Sequence, residues 1–255
     1  MHGRGRRLHR CAVLLMAWLC LSVTRAAAGP PYVTDDPEPV EYQHWEVYLA
    51  SLLSRDAGAW SGTAPHIEVN YGAAPELQLH AILPMSFARS TDGTMTYGYG
   101  DTELGAKYRF VEETSGRPQV GVFPLLEVPT GDERRGLGSG QVQAFLPLWL
   151  QKSYGPWLTY GGGGYWINPG PGNHDWGLLG WLVQRELRPD LSVGAELFHT
   201  TTREQGGEPE TRFNVGMVFD LSDLQHMLLS AGRGLQGSNE FQSYLAYQLT
   251  FGPER

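Results

Sequence analysis

Asp101-Thr102-Glu103-Leu104-Gly105-Ala106-Lys107-Tyr108-Arg109-Phe110-Val111 decides the fold, because its side chains sort by every second residue. Thr102, Leu104, Ala106, Tyr108 and Phe110 share one face, while Asp101, Glu103, Lys107 and Arg109 share the other. Period two is the signature of a strand with two different environments on its two faces. The same alternation restarts about a dozen times after residue 40, near residues 43–54, 64–72, 76–88, 97–111, 118–129, 140–152, 157–168, 175–187, 191–201, 209–221, 225–234 and 241–251. A soluble sandwich and a membrane barrel both produce this pattern. Strand length separates them, since ~9–11 tilted residues cross the apolar layer of a membrane whereas soluble strands average about five or six.

The amino terminus points to export. Arg4, Arg6, Arg7 and Arg10 precede an apolar run from Cys11 to Val23, followed by the small residues Ala26-Ala27-Ala28. That order is a secretory signal peptide, and cleavage is expected after Ala28. The run is short of the ~20 apolar residues that an anchoring helix needs. Residues 1–28 are therefore a cleaved signal peptide, 29–42 a Pro/Asp-rich periplasmic leader, and 43–255 the barrel. Cleavage removes Cys11 and Cys20, so the mature chain has no thiol for a disulfide, a thiolate nucleophile or a cysteine metal site. It also removes five of the 19 basic residues and none of the 27 acidic ones, which leaves a formal charge of −13. So acidic a product is not expected to bind nucleic acid.

Connections alternate in length. Tight turns at residues 73–75, 153–156, 188–190 and 222–223 use Pro, Gly and Asp, and 112–117 is a little longer; between them fall polar loops at 56–63, 89–96, 130–139, 169–174, 202–208 and 236–240. Short periplasmic turns alternating with longer outer loops, over an even number of strands, describe an all-β closed antiparallel transmembrane barrel of about 12 strands in a bacterial outer membrane. Trp45, Trp60, Tyr71, Tyr97, Tyr99, Trp157, Tyr165, Trp166, Trp176 and Trp181 are placed in the two interfacial girdles. The final strand carries Tyr247, Leu249 and Phe251 on its apolar face, like the carboxy-terminal signal read by the barrel-insertion machinery. Gly252-Pro253-Glu254-Arg255 follow it.

Three segments resemble one family: Pro31-Tyr32-Val33-Thr34-Asp35-Asp36-Pro37, the run from Tyr99 to Phe110, and Pro129-Thr130-Gly131-Asp132 leading to Gly136-Leu137-Gly138-Ser139-Gly140. It is the outer-membrane transporter family named for the meta-cleavage pathway of phenol degradation. The resemblance implies a barrel that passes small, often aromatic, compounds.

Parity then assigns the lumen. With Leu77, Leu79, Ala81, Leu83 and Phe87 towards lipid, Gln78, His80 and Ser86 face inward; likewise His66, Glu68 and Asn70 on the preceding strand. The same rule turns Glu103, Lys107, Arg109, Glu127, Glu196, Arg212, Asn214 and Asp220 inward, with the rings of Phe123, Phe145, Trp149, Phe198 and Tyr244. Such charges either pair or sit in water. The candidate solute-binding set is Glu68, His80, Glu103, Lys107, Arg109, Glu127, Trp149, Glu196, Phe198, Arg212 and Asp220. Lys107, Arg109 and Arg212 are the expected attractors of an anion, and the rings the stacking surfaces for an aromatic solute. Salt bridges and rings that merely fill a narrow barrel are the competing reading.

Other chemistry is weaker. Gly161 to Gly164 lacks the Lys-Ser/Thr of a phosphate loop, and the scattered histidines have no metal-ligand spacing. A barrel enzyme acting on lipid needs a serine and a histidine in contact. His226 and Ser230 share a strand face but stand ~13 Å apart, and His199 would have to meet a serine across strands. A secreted soluble β-sandwich binder is the remaining alternative. No enzyme activity, cofactor or metal is expected; the partners are outer-membrane lipid and a small solute. The leader, with four prolines and three acids between Pro30 and Val40, is expected to be extended and solvated, with a folded-back plug as its other reading.

Overall fold

A computed structural model describes residues 31–253. The expected signal peptide lies outside the described residues. Fourteen strand segments follow in order: β1 Trp45–Asp56, β2 Ala59–Ala74, β3 Leu77–Arg89, β4 Met95–Tyr99, β5 Thr102–Val111, β6 Gln119–Val122, β7 Leu125–Val128, β8 Gln143–Tyr154, β9 Trp157–Ile167, β10 Trp176–Arg188, β11 Leu191–Thr200, β12 Glu210–Ser222, β13 Gln225–Gln236 and β14 Phe241–Phe251. Every ladder between them is antiparallel. β1 pairs with β14 from Trp45↔Phe251 to Arg55↔Phe241, so the sheet closes on itself.

The fourteen segments make twelve spans, because two spans are broken. β4 and β5 are one span interrupted at Gly100-Asp101, and both pair with β3. β6 and β7 are one span interrupted at Phe123-Pro124, and both pair with β5 and β8. Pro124 cannot donate to a ladder; its carbonyl instead accepts from Ala106 N at 3.2 Å. The expected loop at 56–63 is corrected to a two-residue turn. Ala57 and Gly58 both have positive φ, 46° and 91°, the geometry of a tight hairpin, and strand pairing resumes at Ala59.

Burial is inverted relative to a soluble protein. Leu179 (65% exposed), Val215 (53%), Leu197 (52%) and Leu245 (48%) stand on the outside, whereas Glu68 (4%), Lys107 (3%) and Glu196 (3%) are inside. An apolar exterior around a polar interior is the arrangement for lipid outside. A soluble sandwich would place these faces the other way, so that alternative is overturned. Among the described residues, no helix is long and apolar enough to cross a membrane; the crossing elements are strands.

Trp45, Tyr97, Tyr99, Trp157, Tyr165 and Trp181 are exposed on the barrel exterior, as girdle residues would be. Trp166 and Trp176 are not. They are register partners on the inward parity of β9 and β10, and their rings stack inside the barrel.

The leader departs furthest from expectation. Residues 31–40 run inside the barrel, with Thr34 and Asp36 fully buried, and Tyr42 forms a bridge to Gly72 on β2 before the chain enters β1. The solvated reading is corrected: these prolines and acids meet a wall that carries the complementary groups.

Candidate functional site

The lumen has two unlike walls with residues 31–40 between them. On β1–β7 the inward side chains are mostly ionic. His80 spans Asn70 Oδ1 at 2.6 Å and Glu103 Oε1 at 2.9 Å, and Glu68 Oε1 lies 3.7 Å from its other ring nitrogen. Glu127 is the register partner of Glu103. Lys107 Nζ binds Asp35 at 2.9 Å, with Asp36 at 3.7 Å, and stands 4.9 Å over the Phe123 ring. Arg109 is clamped by Glu76, donates to Gln119 at 2.9 Å and lies 3.8 Å from Glu38.

These contacts answer the cost of burying charge: Lys107 is paired by the segment's acids, and Arg109 by Glu76 of the wall with Glu38 of the segment beside it. Glu38 also accepts from Gln119 at 3.1 Å and Gln151 at 2.9 Å. On the opposite side the polarity reverses. Glu196 accepts from Val33 N at 2.9 Å and Thr34 N at 2.8 Å, while Asn214 donates to it at 2.6 Å. Ser230 donates to Pro31 O at 2.5 Å, and Val40 N donates to Gln78 at 2.9 Å. The segment is thus held at both ends and in the middle by side chains from around the circumference.

Glycines make room for it. A Cβ on Gly180 would fall 2.2 Å from Thr34 Oγ, one on Gly194 2.6 Å from the Tyr32 hydroxyl, and one on Gly121 2.9 Å from Pro37 Cβ. Burial lifts the Asp36 carboxyl to about 7 against the opposing pull of Lys107, with Asp35 and Glu38 adding to the rise. Burial, followed by the charge of Glu196, raises the Tyr32 phenol far above its ordinary value.

On β8–β11 the wall is aromatic. Phe123, Phe145, Trp149, Trp166, Leu178 and Phe198 form one buried cluster, with Val33 of the plug and Trp176 packed against it. Phe145 and Trp166 stack at 4.9 Å and 15°, and Trp166 and Trp176 at 5.5 Å and 13°. The run reaches the loop end of the barrel, where the Arg203 guanidinium lies 4.2 Å over Trp176. Gly164 lets it form: a Cβ there would lie 2.5 Å from the Phe145 ring. Trp149 Nε1 and Thr200 Oγ are buried without a hydrogen-bond partner.

All eleven sequence-predicted residues sit on the inner wall or at its ends, but they do not form one site. Glu68, His80, Glu103 and Glu127 join the ionic wall; Trp149 and Phe198 join the aromatic one. Lys107, Arg109 and Glu196 hold the plug. Arg212 binds Glu210 and Glu240, each at 2.5 Å, at the loop end. Asp220 binds His226 at 2.6 Å near the opposite rim. Sequence reasoning missed Arg203, which sits in a loop where parity is silent. It also placed Trp166 and Trp176 in the girdles rather than the lumen, although Trp166 stands two and four residues from Gly164 and Gly162 on one strand face.

The enzyme-like pairs do not assemble. His226 is engaged by Asp220, Ser230 by the Pro31 carbonyl, and His199 meets Thr211 at 2.9 Å rather than a serine.

No protein-family profile matches the sequence, and no curated protein is similar to it. Solved structures do match in fold. The COG4313 outer membrane channel from Pseudomonas putida F1 superposes with a TM-score of 0.66 at 19% identity, over 84% of this chain and 99% of that one. The KdgM porin, in complex with disordered oligogalacturonate, gives 0.54 at 11% identity over 80% and 99%. The translocator domain of the autotransporter NalP from Neisseria meningitidis gives 0.52 at 10% over 82% and 87%. At such identities the likeness is one of architecture: the chain has the fold of the outer-membrane β-barrels.

Proposed function

We propose that this protein is an outer-membrane channel for passive passage of a small aromatic solute, gated by its own residues 31–40, which occupy the lumen and leave it intermittently. The stacked run Phe145–Trp166–Trp176 along the inner wall carries this reading. Rings facing a lumen offer flat apolar contact at little conformational cost. The resemblance of the Tyr99–Phe110 and Pro129–Gly140 motifs to the phenol-degradation transporter family supports an aromatic cargo, and the architecture shared with a bacterial outer membrane channel supports the location. Lys107 and Arg109 are less suited to attract an anion than their sequence positions imply, because Asp35 of the plug already pairs with Lys107, and Glu76 of the barrel, with Glu38 of the plug beyond it, with Arg109. The outward row Tyr247, Leu249 and Phe251 is the expected docking strand for insertion machinery.

Flux into liposomes tests the proposal, with protein-free liposomes as background and a heat-modifiable gel shift as the check on folding. Benzoate is expected to enter faster than xylose. Equal rates would remove the aromatic preference, and no flux of either from a folded barrel would remove the channel.

A further inference from the structure

Arg203, like Arg212, is a cation at the loop end of the barrel that the plug does not claim. Its main chain is fixed across two loops, the carbonyl accepting from His174 N at 2.9 Å and Asn168 Nδ2 at 3.3 Å. Its guanidinium is laid on Trp176, the outermost ring of the stacked run. Among the described residues it forms no salt bridge; the acids whose charge reaches it, Glu210 and Glu240, are bound to Arg212.

Arg212 lies close by on β12, directly opposite Phe198 of the aromatic cluster. Its Nη2 end is committed to Glu210 and Glu240, but its Nε is buried with no acceptor. Thr200 Oγ, two residues along β11 from Phe198, is buried in the same condition. Arg203, the unpaired Arg212 N–H and the unpaired Thr200 hydroxyl therefore lie near the outer end of the stacked aromatic run. A buried polar atom without a partner keeps the cost of its lost hydration, which a ligand oxygen could relieve.

We infer that this corner of the mouth binds planar arenes carrying an anionic oxygen group, with the arene packed against the edge of Trp176 at the outer end of the stacked run and the oxygens at Arg203. Arginine suits the task, since its planar fork holds a carboxylate with two hydrogen bonds while its face stays on the indole. The inference rests on the proposed channel function and refines it: the rings set shape, and Arg203 sets charge. It also moves anion recognition from Lys107, buried against Asp35, and Arg109, clamped by Glu76, to the loop end of the barrel.

Benzoate and benzamide are the discriminating pair, because they share size and planarity and differ in charge. Binding to the refolded full-length barrel in micelles is measured by tryptophan fluorescence and by saturation-transfer NMR. We expect benzoate to bind about tenfold more tightly than benzamide, a difference the size of one charge-assisted contact. Arg203→Gln should bring the two together, and Arg203→Lys should keep part of the preference. Arg203 lies in a loop, so both variants should retain the heat-modifiable shift of the parent. Equal binding of the two compounds by the parent, or a preference that survives Arg203→Gln, would overturn the inference. Liposome flux of both compounds at one rate would overturn it too while leaving the channel in place; flux of neither would remove the channel reading itself.

Discussion

Single atoms decide whether the lumen can close. Gly180 is the clearest case, because a β-carbon there would come 2.2 Å from Thr34 Oγ and 3.2 Å from Thr34 Cβ. Thr34 is fully buried and has no room to swing aside. Gly180→Val should therefore displace the plug by overpacking, at a cost of about 1–3 kcal/mol to seating, without touching the barrel ladder. Planar-bilayer conductance should rise, and unchanged conductance would show that Thr34 is not held there. Asp36 makes the seating pH-dependent. Its pKa is raised to about 7 in the seated plug, chiefly by burial, with Lys107 opposing, Asp35 and Glu38 reinforcing, and the Tyr160 hydroxyl nearby. A raised pKa means that the seated form binds the proton more tightly than the free segment does. Seating is thus strengthened as pH falls below about 7 and weakened as pH rises through it. Conductance should be greater at pH 8 than at pH 5.5, and Asp36→Asn should flatten the difference.

Elements show how two of the sequence motifs meet in space. The break at Gly100-Asp101 turns the Asp101 carboxylate towards the loop after β7, where it accepts from Gly131 N at 2.9 Å, Ser139 N at 2.6 Å and Ser139 Oγ at 2.8 Å. Thr130 Oγ donates to Gly100 O at 2.9 Å and Arg135 donates to Tyr97 O at 3.0 Å. A Cβ on Gly138 would lie 2.4 Å from Asp101, and one on Gly131 2.4 Å from Leu137 O. The loop glycines are there so that the backbone can reach the carboxylate. Asp101→Ala should free the loop at a cost of about 3 kcal/mol or more, since hydrogen bonds to a charged group are the strong ones. Limited proteolysis should then cut within residues 130–141 while the heat-modifiable shift is retained; a loop as resistant as the parent's would refute the role. The strands themselves were legible in the sequence because alternation is local, and β10, β11 and β14 fall within a residue or two of expectation. The break at Phe123-Pro124 was hard to see, since alternation continues across it, whereas the one at Gly100-Asp101 shifts the outward parity from Tyr97 and Tyr99 to Leu104 and Tyr108. The orientation of Trp166 was hidden because Tyr165 and Trp166 are adjacent, so either ring could serve the girdle.

At the scale of the whole molecule, the decisive fact is that the lumen and its leader are complementary. Composition made residues 30–40 look like a solvated tether, because prolines and acids have no core of their own to join. What composition could not show is that the barrel buries Lys107 beside Arg109 and needs acids to pair with them, while Glu196 needs backbone N–H groups. The plug supplies both. Inward parity was read correctly, but the roles of the inward charges depend on what lies between the walls, and that is a long-range property. A reversible tether on the plug gives the most direct measurement. Thr34→Cys with Gly180→Cys places two sulfurs at the closest contact between plug and wall, and Cys11 and Cys20 precede the expected cleavage site, so the chain refolded from residue 29 has no competing thiol. Benzoate flux into liposomes should be at the protein-free level when the pair is oxidised, and should rise on reduction. Equal flux in the two redox states, with the disulfide verified by mass spectrometry, would contradict a channel closed by its own amino-terminal segment.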